Sequence, residues 1–332
     1  MANDQAHDTR GTSANRLAQA VSLSVAGVAA SSVDGQTFWG GYTEITQPSA
    51  SIFSDDFNSG DLSHVENGAE WKAQRATSLV NSNGCVIFNT SGAAIDPPTC
   101  GFSYKEWEGW LNNISMRFRY GVDDAFPMQT WSLNQPAARV RDIWFRISMR
   151  VPISYEHVNN SGSSTNNKFF ALWMDGRETN SDNGATVVFQ TRETSITGSV
   201  GSALGFYVWN NANGNGDQAS FSDFWSVPEV EGSGVRDDRG RWQDIVLHMK
   251  ANDAGSGTGK IQAWRRWQDE AEYSLLINKD LDVPIPNTGY DGWDTCQIMG
   301  GDNSWLAEST EILMDSFYAS DASLVPAGTE GL

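Results

Sequence analysis

The stretch Ile143–Val151 (IWFRISMRV) decides how this sequence is read. Apolar and polar residues alternate along it, the period-two signature of a β-strand with one face on a core. Working outward, Phe169–Met174 (FFALWM), Thr186–Thr191 (TVVFQT), Gly205–Trp209 (GFYVW), Ile245–Met249 and Ile312–Tyr318 read the same way, each β-branched or aromatic and short. Turn-rich segments at 159–167, 210–216 and 252–259 separate them. No long 3.6-residue period, internal repeat or second composition regime appears beyond residue 50. The expectation is a single all-β jelly-roll sandwich over residues 51–325.

Residues 1–50 differ. Met1–Arg16 is polar and Leu17–Ala30 only mildly apolar, with Asp4 and Asp8 offsetting Arg10 and Arg16. That is a poor match to a secretory signal. The segment is expected to be an N-terminal arm, with residues 1–45 available to anchor the protein on an assembly.

Charge narrows the function. The 332 residues carry 41 acidic against 22 basic side chains, a net charge of −19. Such a chain repels phosphate backbones, which argues against nucleic acid as a partner. Mean hydropathy is −0.42 and no apolar run approaches the ~18 residues a membrane span requires. Three cysteines cannot build a disulfide scaffold: Cys85 and Cys100 bracket a short segment ending in Pro97-Pro98 that a disulfide could close, reduced thiols being equally consistent, and Cys296 is left over. The cations are sixteen arginines and only six lysines, at 72, 105, 168, 250, 260 and 279. Fourteen tryptophans serve either cores or sugar stacking.

Four stretches in order carry a family likeness. They are Phe53-Ser-Asp-Asp-Phe-Asn-Ser-Gly-Asp-Leu62; Arg141–Lys168 with its Ser154-Tyr-Glu-His157 and polar loop; Gly240–Asn252 followed by Gly259–Trp267; and Ile298–Trp305 followed by Met314-Asp-Ser-Phe-Tyr318. Together they resemble the concanavalin A-like jelly rolls of polysaccharide lyases, closest to the alginate and glucuronan lyase-like group with its viral members. The resemblance implies a polysaccharide partner containing uronate, an extracellular or virion-surface location, no organic cofactor and cleavage by β-elimination. It places Lys168 at the family's strand-opening lysine, Gln190-Thr-Arg192 where Ser-x-Arg stands, and Tyr207-Val-Trp209 where Tyr-x-Tyr stands.

The period-two rule puts Gln190 with Arg192, and Tyr207 with Trp209, on one face of their strands, with Phe189, Phe206 and Val208 on the other. Arg192 and Lys168 are expected to hold the sugar carboxylate and Tyr207 to act as base and acid. Trp209 is the main sugar-stacking residue, with Trp173 and Trp264 as lesser ones, and His248 shares parity with Asp244 and could reach the groove. Two departures, Gln190 for serine and Trp209 for tyrosine, keep open a non-catalytic alternative: a carbohydrate-binding or virion decoration protein. Read without the family, Arg192 beside Glu193 fits an ion pair, Tyr207 and Trp209 fit packing, and Lys168 fits a solvated strand end.

No metalloprotease pattern is present, and the acidic clusters sit in turn contexts unlike paired glycosidase carboxylates. The resemblance does imply a structural Ca²⁺, held by Asp315 of the closing strand with Asp55, Asp56 and the Asn83-Gly84 turn as companions.

Overall fold

In the computed structural model the alternating stretch is a nine-residue strand whose Ile143, Phe145, Ile147 and Met149 are fully buried. The structure describes residues 32–33, 36–37, 52–57, 59–75, 77–80, 85–88, 94–100, 114–120, 128–132, 140–150, 166–174, 185–193, 202–210, 217–221, 240–253, 258–267, 270, 272–285, 292–298 and 310–325. Among these, twenty strands form, numbered β1 to β20 in chain order, and their pairings are antiparallel.

One sheet runs β15 (Asp217–Phe221), β14 (Ser202–Asn210), β13 (Ala185–Glu193), β12 (Asn166–Trp173), β19 (Thr295–Ile298), β10 (Met128–Ser132), β5 (Ala69–Arg75) and β4 (Val65–Glu66). The other has ten strands. Its order is β18 (Ser274–Leu281), β17 (Gly259–Trp267), β16 (Trp242–Lys250), β11 (Asp142–Arg150), β20 (Thr310–Ser320), β9 (Ser115–Tyr120), β6 (Thr77–Val80), β7 (Cys85–Phe88) and β8 (Ala94–Cys100), with β3 (Phe53–Asp55) against β20. A separate hairpin, β1 (Ser32–Val33) with β2 (Gln36–Thr37), is what the structure describes of residues 1–50.

The architecture is the all-β jelly-roll sandwich expected from the alternation. Its core lies between the sheets, where rings interlock across the gap. Phe145 of β11 lies 4.8 Å from Phe170 of β12, and Phe317 of β20 lies 5.3 Å from Trp71 of β5. Each such fully buried side chain contributes roughly 1.5–3 kcal/mol of transfer free energy.

Local chemistry fixes the turns. Asn67 and Gly68 both adopt positive φ (50° and 80°), the two-residue turn whose twist matches its flanking strands β4 and β5. The motif residues after β16 also have a structural job. Asn252 donates its backbone N–H to the Val283 carbonyl (3.0 Å), accepts the Val283 N–H at Oδ1 (2.8 Å) and donates from Nδ2 to Asp282 (2.6 Å). Gly259 is required beside it: a Cβ there would sit 2.5 Å from the Lys250 carbonyl oxygen.

At the sheet edge β8 carries Pro97-Pro98, which cannot donate to an incoming strand and so blunts edge-to-edge association. The register makes Cys85 and Cys100 direct partners across β7 and β8. Cys296 is buried in the core.

Candidate functional site

The outward face of the eight-stranded sheet is assembled by register. Phe170, Leu172, Val187, Phe189 and Phe206 are buried in the core, so the alternate positions of β12, β13 and β14 lie on the opposite face. A bulge in β12 matters here: Lys168 pairs with Gln190, but Phe170 pairs with Phe189. Lys168 and Phe170, two residues apart, therefore occupy opposite faces, and the half-buried Lys168 joins the Gln190 face.

Three rows cross this face. The first is Lys168, Gln190, Gly205 and Ser220. The second is Lys72, Thr130, Gln297, Ala171, Val188, Tyr207 and Gln218. The third is Ser132, Thr295, Trp173, Thr186 and Trp209. Trp173 is half-buried, whereas Gln297 and Thr295 are buried and so lie at the bottom of the face. Tyr207 thus occupies the middle row, with the Lys168–Gln190 pair on one side and the Trp173 and Trp209 positions on the other.

Arg192 is further away than the motif spacing suggests. It pairs with Ala203, four residues along β14 from Tyr207, so the two backbones are separated by roughly 13 Å along the strand. By the same register Lys168 lies two strands and one row from Tyr207, roughly 12 Å, so Gln190 is the neighbour that Lys168, Tyr207 and Arg192 share.

Two expectations about the groove are corrected. Trp264 and His248 belong to the other sheet. Trp264 is fully buried on its outer side with Val246, Tyr273, Leu324 and Val325, its ring 5.4 Å from that of Trp144. His248 stacks on Trp144 at 4.0 Å and 7°, with Nδ1 2.7 Å from Gln262 Oε1 and Nε2 2.7 Å from Asp142 Oδ1. Parity told which residues share a face but not which sheet the strand would join.

That outer side also holds an ionic cluster that the sequence did not single out. Asp244 accepts hydrogen bonds from Arg266 (2.6 Å), Arg146 (3.1 Å) and Ser148, and Ser148 in turn accepts one from Ser316 (2.9 Å). Burial alone would raise the Asp244 pKa, but the two guanidiniums and the hydroxyl outweigh it and hold the carboxyl at about 2. The Arg146 guanidinium lies 5.7 Å from the Tyr318 ring and that of Arg266 5.0 Å from the Tyr273 ring. Burial pushes both phenols up to about 12. The missed signal was Arg146 and Ser148 on the polar parity of Ile143–Val151, directly across from Val246 and Asp244.

The three carboxylates expected at a Ca²⁺ site differ in availability. Asp55 is committed: Oδ1 accepts the Phe57 N–H (2.7 Å) and Oδ2 the Trp71 indole N–H (2.6 Å), and burial raises its pKa to about 6 despite both bonds. It thereby holds Phe57 at φ 58°, a left-handed conformation that a bulky side chain adopts only under constraint. Asp315 is fully buried at the bulge of β20, and among the described residues neither carboxylate oxygen has a hydrogen-bond partner. Burial first, then the charges of Asp56 and Asp244, push its pKa well above the ordinary value. Among the described residues no group of three or more His, Cys, Asp or Glu side chains could hold a metal ion, and of the expected Ca²⁺ ligands Asp315 lacks the hydrogen bonds that commit Asp55. Asn83 and Gly84 lie outside the described residues.

No family model and no curated protein sequence matches this chain. Among solved structures, a double mutant of alginate lyase Aly36B in complex with alginate tetrasaccharide is similar, at 11% identity and TM-score 0.46, covering 77% of this chain and 98% of that one. Alginate lyase vAL-1 from Chlorella virus is similar at 10% identity and TM-score 0.39, covering 74% and 91%. The exoplasmic/lumenal domain of VIP36, in its Ca²⁺/Man3GlcNAc-bound form, is similar at 12% identity and TM-score 0.35, covering 65% and 82%.

Proposed function

We propose that the outward face of the eight-stranded sheet binds an acidic polysaccharide and cleaves it by β-elimination. The observation that carries this reading is the cross-strand register that sets Lys168 against Gln190, with Tyr207 diagonal to Gln190 on the next strand. Lys168 neutralises the uronate carboxylate and the Gln190 amide donates a hydrogen bond to it, which together make the C5 proton acidic enough to remove. The Tyr207 phenolate takes that proton, and the resulting phenol returns one to the departing glycosidic oxygen. Trp209 and Trp173 stack on the sugar rings, and Arg192 holds the carboxylate of an adjoining residue of the polymer.

Incubation with alginate, glucuronan and related polymers, followed by ultraviolet absorbance of the unsaturated product, tests the proposal. Product formation is the expected result. Binding without product would favour the non-catalytic reading, which Gln190 and Trp209 support, and absence of both would overturn the proposal.

A structural Ca²⁺ held by Asp315 and Asp56 belongs to the same reading. It would neutralise a buried charge and pin β20 to the turn after β3. Millimolar Ca²⁺ is expected to raise the melting temperature, since a ligand at a hundredfold its Kd adds ~2.7 kcal/mol. Asp315→Asn should abolish that response, and a melting temperature indifferent to Ca²⁺ and chelator would remove the ion from the account.

A further inference from the structure

We infer that Lys72 on β5 is a remote subsite residue that holds a second carboxylate of the same polymer, which therefore lies across the strands. This rests on the polysaccharide reading above and extends it to how many sugars the face engages. Lys72 stands in the row of Tyr207, reached through Thr130, Gln297, Ala171 and Val188. Three strand steps separate β5 from β12, the strand of Lys168, which is roughly 14 Å and more than one pyranose unit.

Charge supports the placement. The register positions of this face carry Lys72, Lys168 and Arg192 against Glu70 as the acidic residue, in a chain whose net charge is −19. A polyanion is held by such a protein where cations outnumber carboxylates. The row also has the right borders, with Lys168 and Gln190 along one side and Trp173 and Trp209 along the other. Polymer laid along it meets hydrogen-bonding groups on one flank, aromatic positions on the other, and a cation at the far end.

The test compares binding of tri- and tetrasaccharide uronates with that of the parent polymer by titration calorimetry, on folded full-length protein. Lys72→Gln is expected to weaken polymer binding about fivefold, the scale of one partly exposed charge contact. It should leave the short oligomers unaffected. Lys72→Glu should weaken polymer binding further, and Lys72→Arg should restore it. Unchanged polymer affinity in Lys72→Gln and Lys72→Glu, with Lys168→Ala still disrupting binding, would overturn the Lys72 assignment alone. Equal losses for short and long ligands would overturn it too, by making Lys72 part of the central group. Failure of the unaltered protein to bind any uronate polymer would overturn the underlying reading as well.

Discussion

Asp244→Ala is expected to destabilise the protein by ~3–5 kcal/mol in urea unfolding at neutral pH, the cost of stranding buried guanidinium charge. Asp244 is the carboxylate to which both Arg146 and Arg266 donate, at 3.1 and 2.6 Å. All three side chains are at most 8% exposed, so water does little to replace the lost partner. A cost below ~1 kcal/mol would show that the cluster relaxes or hydrates, as surface pairs do. The pH dependence has a defined sign. Asp244 is depressed to about 2 in the folded protein, against about 4 in an unfolded chain, so its contribution is present above pH ~4 and is lost as pH falls toward 2. Acid unfolding of the unaltered protein should steepen in that window, and Asp244→Asn should flatten it.

Tyr207→Phe is expected to lower the rate of unsaturated product formation by about 10²–10⁴-fold while changing polymer affinity little. The substitution removes the hydroxyl proposed to take and return the proton and keeps the ring. Lys168→Ala should instead lower rate and affinity together, since in the proposed mechanism its charge meets the carboxylate in both ground and transition states. Initial rates and equilibrium binding on the same variants separate the two effects. Turnover unchanged in Tyr207→Phe would place the base elsewhere on the face.

The site was partly legible in the sequence, for a physical reason visible in particular residues. Period-two alternation is a local property, so Phe189 and Phe206 could be assigned from sequence to the face opposite Gln190 and Tyr207, and the structure buries both in the core. Asn252 and Gly259 carried the family likeness because close backbone approach and the clamp on Val283 tolerate few alternatives. By contrast, Trp264 and His248 alternate just as the groove residues do. Only the pairing of β16 with β11 assigned them to the opposite sheet.

What the sequence by itself determined, then, was the all-β class and the alternation of each strand. Those depend on side-chain period and turn chemistry within a few residues. The tertiary structure decided the rest. The bulge in β12 put Lys168 and Phe170 on opposite faces, and the β13–β14 register separated Arg192 from Tyr207. The sheet order brought Lys72 into the row of Tyr207 across four intervening strands. Strand partners are chosen by burial and hydrogen bonding between segments far apart in the chain, and no local pattern encodes that choice.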